Sequence, residues 1–455
     1  MKKFLSILLA MALVTGMAAC SSNSSEDGSS VGEGSSAAES AQESESGEDI
    51  TITYNCLWVE DFDSPPQYAR KELLKEYYKT HPNVKVQDNS ISYEDHMVKL
   101  NQWIAADDLP DMFMCRTVDL KQMVANDQIR PFDEYFEMRP GWKEQFIPES
   151  FGDMTLDGTI WAAPYQYMSV GFLYCNQELF DKAGAKIPTT TDEFMEACAK
   201  LKASGVVPYG FGNKDTSLLG DMLWTTLCAS YTGTEWYEDM LLSRGQGDKK
   251  WADNPKFMEA LKFMEDLGTN EYVNADTNAL YEQDAYILFL QESCAMTTFG
   301  GWFGEWLEVE DPEFCEKVKL TYLPTAGATP PDTISAGATW GWQTNKNNTG
   351  EKLDAILDLM EMFTGEDYTK AALEQGFVRL PCAIPDDADL SNVPVISQQT
   401  MKLTEDANKI TDYWSAMYDS DLQTTFGECF QSMWAKEMTA EEAAEAIQQT
   451  YDDTY

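Results

Sequence analysis

An α/β fold with a helix-covered, parallel sheet is expected from three observations. Strand-like and helix-like segments alternate from Ile50 onward. Several helix starts carry a capping residue directly behind a strand. The chain has 455 residues and is 43% hydrophobic; once its low-complexity N-terminal stretch is removed, roughly 400 residues remain, too many for one ordinary domain and natural for two.

The elements follow in order. Ile50, Ile52, Tyr54, Cys56 and Trp58 alternate with Thr51, Thr53, Asn55 and Leu57 as a strand, which Glu60, Asp61, Asp63 and Pro65-Pro66 break. A helix follows from about Gln67 to Thr80 and stops at His81-Pro82. A second strand covers Val84 to Gln87. Ser92 caps a helix with Met97, Leu100, Trp103 and Ile104 on one side, and Asp111 to Cys115 is a third strand. Val170 to Tyr174 reads as a strand, with Asn176 capping a helix that ends at Gly184. Thr190 and Glu193 form a capping box ahead of Phe194, Cys198 and Leu201. Val206 to Phe211 is another strand. Asn254-Pro255 starts a helix bearing Phe257, Leu261, Met264 and Leu267 and closed by Gly268. Glu292 to Phe299 is strand-like. Leu353, Ile356, Leu357, Met360 and Phe363 mark a further helix, and Thr439 with Glu442 caps the last.

The N-terminus points to export. Lys2 and Lys3 precede an apolar run from Phe4 to Ala19, too short to span a bilayer, and Cys20 follows the small residues Ala18 and Ala19. Residues 1–20 resemble a bacterial lipoprotein signal, in which the cysteine becomes the lipidated N-terminus; an ordinary cleaved signal would leave Cys20 incidental. Residues 21–49 are almost wholly Ser, Gly, Glu, Asp and Ala, without Lys, Arg or an aromatic, and are expected to form a disordered linker above the membrane. The chain carries 77 acidic against 32 basic residues, a net charge of −45, which argues against nucleic acid or a large anion as partner. Ten cysteines leave nine beyond Cys20; Cys56, Cys115, Cys175 and Cys294 sit in apolar runs as small hydrophobes, mostly free. Two histidines, no C-x-x-C and no calcium loop make a metal unexpected, and no cofactor is expected.

Four segments carry a resemblance. The first is Pro110-Asp-Met-Phe-Met-Cys with Leu120, Ile129, Pro131, Phe132, Asp133 and Tyr135. The second runs from Gly158-Thr-Ile-Trp-Ala-Ala-Pro164 through Phe172-Leu-Tyr-Cys-Asn176, Leu179-Phe180 and Ala183-Gly184 to Pro188-Thr-Thr-Thr-Asp-Glu-Phe. The third is Phe289, Ala295-Met296 and Gly300-Gly-Trp302. The fourth is Trp434 and Thr439-Ala-Glu-Glu-Ala-Ala. In this order they resemble the extracellular solute-binding proteins of ABC importers, most closely the carbohydrate-binding group that includes maltose-binding proteins. The resemblance implies a two-lobed periplasmic-binding-protein-like fold of type II, with a ligand cleft between lobes joined by crossing strands. Residues 50–164 and 337–379 would form lobe 1, and residues 165–336 and 380–455 lobe 2.

In open α/β sheets ligands bind beyond the carboxyl ends of strands. Those ends bring Trp58, Glu60 and Asp61, then Arg116, then Asn213 and Asp215, then Trp302. Indoles beside carboxylates and amides suit a sugar, whose C–H face lies on a ring while its hydroxyls take hydrogen bonds. Trp302 matches the family's stacking Trp after a Gly pair, and Glu60, Asp61 and Arg116 match ligand-contacting positions of relatives. Trp58, Trp340 and Trp342 are further platform candidates, whereas Trp103 and Trp161 read as packing. Tyr165 and Gln166 precede the lobe crossing and could face the cleft. Arg379 lies near a return crossing, to bind a hydroxyl or bridge the lobes. The expected activity is non-catalytic: a monomeric, lipid-anchored protein captures a carbohydrate, an oligosaccharide first, and delivers it to a permease. The same fold holding an amino acid, peptide or polyamine is the alternative, and a secreted glycoside hydrolase, which would need two carboxylates about 5–10 Å apart, is the third.

Overall fold

The computed structural model describes residues 49–57, 65–216, 218–242, 250–385, 388–411, 414 and 420–454. The signal, Cys20 and residues 21–48 of the linker lie outside them. No helix among the described residues is long and apolar enough to cross a membrane.

Two mixed sheets organise the chain. The first has the spatial order Val84–Asp88, Ile50–Asn55, Met112–Arg116, Trp340–Thr344 and Ala163–Pro164. Its first three strands are parallel, as expected, with Ile50 opposite Val84 and Tyr54 opposite Met112. The Trp340–Thr344 strand, which returns late in the chain, runs antiparallel to both neighbours. The second sheet has the order Val318–Tyr322, Phe172–Asn176, Cys294–Phe299 and Val207–Tyr209. Phe172–Asn176 is antiparallel to both of its partners, and Cys294–Phe299 is parallel to Val207–Tyr209. Helices cover both faces, so Met112 to Cys115 and all of Phe172–Asn176 are buried without alternation.

The sheets are joined by a third one. The chain leaves the first sheet at Pro164, passes through Met168–Val170 and enters the second at Phe172. It returns through Thr333–Gly337, antiparallel to Met168–Val170, and rejoins the first sheet at Trp340. Lys409–Thr411 adds a parallel third strand. The expected single strand Val170 to Tyr174 is therefore two strands in two sheets. Gly171 divides them at φ +81°, a left-handed conformation that costs glycine little.

The cores separate in the same way. One cluster gathers Phe172, Tyr174, Trp224, Trp251, Phe303 and Phe426 around the second sheet. Another packs Tyr54, Met114, Trp142, Trp342 and Phe363 around the first. Leu100, Phe113 and Leu120 form a third, and Ala69, Tyr368, Phe377, Leu380 and Val393 a fourth. Packing with the helix Pro65–Thr80 thus extends past Arg379 to Val393. Capping works as the residue types require: Asn176 Oδ1 accepts the Leu179 N–H at 3.1 Å, Thr190 Oγ1 accepts that of Glu193 at 3.2 Å, and Asn254 Oδ1 accepts that of Lys256 at 2.9 Å. None of the nine cysteines beyond Cys20 forms a disulfide among the described residues, and all but Cys315 are buried.

Candidate functional site

Both sheets turn their candidate residues toward the crossing. In the first sheet Arg116 ends its strand directly opposite Trp340, and the Tyr165 N–H donates to the Trp340 carbonyl at 2.9 Å. The chain therefore departs for the crossing, and returns from it, at the edge where Arg116 sits. In the second sheet Val207–Tyr209 ends opposite Met296, and its parallel neighbour Cys294–Phe299 runs further, to end opposite Phe172, where the chain enters the sheet from the crossing. Those ends lead to Asn213 and Asp215 and to Trp302.

At the first edge the Arg116 guanidinium lies 5.8 Å over the Trp340 ring. It is fixed by Asp119, with Nε 3.1 Å from Oδ2 and Nη2 3.2 Å from Oδ1. His96, fully buried, meets the Trp340 ring edge at 5.8 Å, and its Nε2 donates to the Met114 carbonyl at 3.0 Å. Burial lowers its pKa, so the imidazole beneath the indole stays neutral.

At the second edge Trp302, partly buried, opens the helix Trp302–Glu310 rather than lying in a turn. Its indole N–H is shared between Glu282 Oε1 at 3.0 Å and the Tyr286 hydroxyl at 2.6 Å, and Tyr286 in turn donates to Glu282 Oε1. Burial raises the Glu282 pKa; the two hydrogen bonds pull against that rise and Asp215 adds to it. A Cβ on Gly300 would stand 2.0 Å from the Trp302 ring, so only glycine leaves the ring its place. The 213–215 loop is tied to the residues just ahead of Glu282, which begins the helix Glu282–Leu290: the Asn213 N–H donates to Thr277 O at 2.8 Å and the Lys214 N–H to Leu280 O at 3.0 Å. Asn213 itself is fully buried, Asp215 exposed, and Lys214 Nζ lies 4.2 Å over the Tyr281 ring.

Arg379 spans the crossing. Its Nη2 and Nε reach Glu305 at 2.9 and 3.2 Å, on the Trp302 helix, and its Nη1 lies 3.4 Å from Gln166 Oε1. Burial opposes the charge on Arg379, but Glu305 outweighs it and raises the pKa. Of the two roles weighed for Arg379, this geometry is that of a bridge.

Five expected candidates are buried in this arrangement, among them Asn213 and, beneath the Arg116 guanidinium, Trp340. Trp342 is fully buried and stacked on Tyr54 at 5.4 Å, because the helix-covered sheet leaves neither face open. Tyr165 is fully buried, its hydroxyl accepting from Arg70 Nη2 at 2.5 Å. Gln166 is buried against Met168 and Arg379. Trp58, Glu60 and Asp61 lie outside the described residues. Trp103 and Trp161 pack against the third core cluster, as expected. The residues that sequence reasoning missed are Glu282, Tyr286, His96 and Asp119; the motif after Gly300 marked the indole but not what holds it. A surface depression of about 420 Å³ between Asp192, Tyr231, Lys256 and Lys262 touches neither edge. Among the described residues, no group of three His, Cys, Asp or Glu side chains is placed to hold a metal ion.

Comparison with known proteins gives a consistent result. The family model described as bacterial extracellular solute-binding protein matches residues 62–370. A solved chitin oligosaccharide binding protein superimposes with a TM-score of 0.76 at 20% identity, covering 90% of this chain and 99% of that one. A structure from work on xylan utilization by the thermophilic bacterium Caldanaerobius polysaccharolyticus gives 0.75 at 24% identity, covering 88% and 99%. An uncharacterized ABC transporter extracellular-binding protein of Pyrococcus horikoshii is 22% identical over 240 residues, 50% of this chain and 51% of that protein.

Proposed function

The chain belongs to the bacterial extracellular solute-binding protein family, and from that premise we propose that it is the substrate-binding component of an ABC importer, capturing an oligosaccharide between its two sheets. Membership makes it an exported binding protein rather than an enzyme. The two-lobed periplasmic fold is the common ground with its structural neighbours. A carbohydrate cargo is supported by one observation above the others. Trp302 stands partly exposed at a strand-derived edge, with its N–H already engaged by Glu282 and Tyr286. An indole so held presents a ring face rather than a donor, which is what the C–H face of a pyranose takes. Asp215 and, from the other sheet, Arg116 supply polar partners for hydroxyls. Neighbours named for chitin oligosaccharide binding and xylan utilization favour the same class of cargo.

Closure is then a population shift, in which a ligand touching both edges favours the closed form by its differential affinity. The lobe of residues 50–164 and 337–379, extended through Val393 by its packing on the helix Pro65–Thr80, would move against residues 165–336 and 394–455. Cys20, lipidated, would hold the monomer at the outer face of the cytoplasmic membrane, with residues 21–49 as tether and a permease as the receiving partner. The cargo is tested by a thermal-shift panel of oligosaccharides, amino acids, peptides and polyamines: a ligand at 100 times its Kd adds about 2.7 kcal/mol of stability. Mass spectrometry of the membrane-bound protein tests the anchor, which predicts a diacylglyceryl mass on Cys20.

A further inference from the structure

The indole of Trp302 is gripped by its one polar atom. Glu282 and Tyr286 stand one turn apart on the helix Glu282–Leu290, so a single element presents both acceptors. Tyr286 is itself immobilised: its ring centroid lies 4.7 Å edge-on from Phe299, 4.6 Å from Phe303 and 5.2 Å from Trp306. On the other side Gly300 leaves space that any side chain would fill. We propose that Glu282 and Tyr286 are positioning residues for Trp302, which fix the indole plane through its N–H so that ligand affinity depends on the Glu282 carboxylate. This rests on the reading of Trp302 as the binding platform.

The dependence has a sign. An ionised carboxylate accepts the indole N–H and the Tyr286 O–H more strongly than a neutral carboxyl does. Burial and Asp215 move proton uptake at Glu282 above the usual carboxylate range. Falling pH therefore protonates Glu282, loosens the indole and weakens binding; rising pH restores both. The groups facing Glu282 are Tyr286 on its own helix, Trp302 and, from the 213–215 loop, Asp215. Asp284, which accepts the Tyr281 N–H at 2.9 Å, and Lys214, over the Tyr281 ring, are charges of the adjoining turn and loop.

Two measurements test this on the full chain. In the first, tryptophan is labelled with ¹⁵N and the Trp302 indole resonance is identified by its loss in Trp302→Phe. It is expected to shift as the pH is lowered from neutral into the acid range in the unmodified chain, to stay still in Glu282→Gln, and to be displaced throughout in Tyr286→Phe. A resonance indifferent to pH and to both substitutions overturns the proposal. In the second, a chitin oligosaccharide and a xylan oligosaccharide are titrated calorimetrically. For whichever the unmodified chain binds, Tyr286→Phe is expected to weaken binding about three- to tenfold and Glu282→Gln to flatten its pH profile. Equal affinities and equal pH profiles in all variants overturn it as well. Loss of the carbohydrate reading alone would show as no saccharide binding by the unmodified chain, while the indole resonance still follows Glu282.

Discussion

Trp302 became legible through the resemblance, which matches it to the family's stacking Trp after a Gly pair. The structure gives the reason in distances: the ring occupies the space of a missing Cβ. Gly300→Ala is therefore expected to displace the indole and weaken saccharide binding tenfold or more, on the order of 1.4 kcal/mol, with calorimetry as the check. Trp302→Ala should cost more, about 2 kcal/mol or roughly thirtyfold, as for a central anchor. Glu282 could not be found beforehand, because one carboxylate among 77 acidic residues looks like the rest. Trp342 misled for the opposite reason. It shares a strand and a face with Trp340, two residues away, but lies inside the sheet rather than at its end. The cysteines were legible as small hydrophobes. Burial pushes the Cys294, Cys382 and Cys429 thiols up to about 12, so a thiol reagent at neutral pH should leave them unmodified until denaturant is added. Ready labelling of these three in the folded protein would contradict the packing.

Among elements, those with caps were readable and those defined by distant partners were not. Asn176, Thr190 and Asn254 announced their helices because each side chain satisfies an N–H that the helix leaves open. Thr190→Ala should destabilise the protein by about 1 kcal/mol in urea unfolding. The split at Gly171 was hidden, because Val170 to Tyr174 is one apolar run and its two pairings, with Ser335 and with Phe299 and Tyr322, are made by strands much later in the chain. The Arg379–Glu305 pair ties the Trp302 helix to the segment after Phe377, with both side chains little exposed. Arg379→Ala leaves Glu305 buried without its partner and is expected to cost about 3–5 kcal/mol. The double variant Arg379→Met with Glu305→Leu should recover much of that loss. A single variant as stable as the unmodified chain in urea would remove the pair from the account.

At the scale of the molecule, a net charge of −45 sets two conditions. The folded chain repels itself, so raising salt from about 0.01 M to about 0.3 M should raise the melting temperature, as screening shortens the reach of that repulsion. The same charge disfavours anionic cargo and leaves neutral, hydroxyl-rich or cationic molecules as candidates. Two helix-covered sheets with separate cores, joined by crossing strands, supply the hinge such capture needs. This architecture was legible from alternation, length and ordered motifs, whereas the direction of the Trp340–Thr344 strand was not, because pairing direction leaves no mark on local composition. The most direct measurement is calorimetric titration of the unmodified chain and of Trp302→Ala with oligosaccharides, amino acids and polyamines. The account predicts an oligosaccharide binding in the micromolar range, about −8 kcal/mol, and binding roughly thirtyfold more weakly in Trp302→Ala. An amino acid or polyamine bound tightly while every oligosaccharide stays silent, or saccharide binding untouched by loss of the indole, would contradict it.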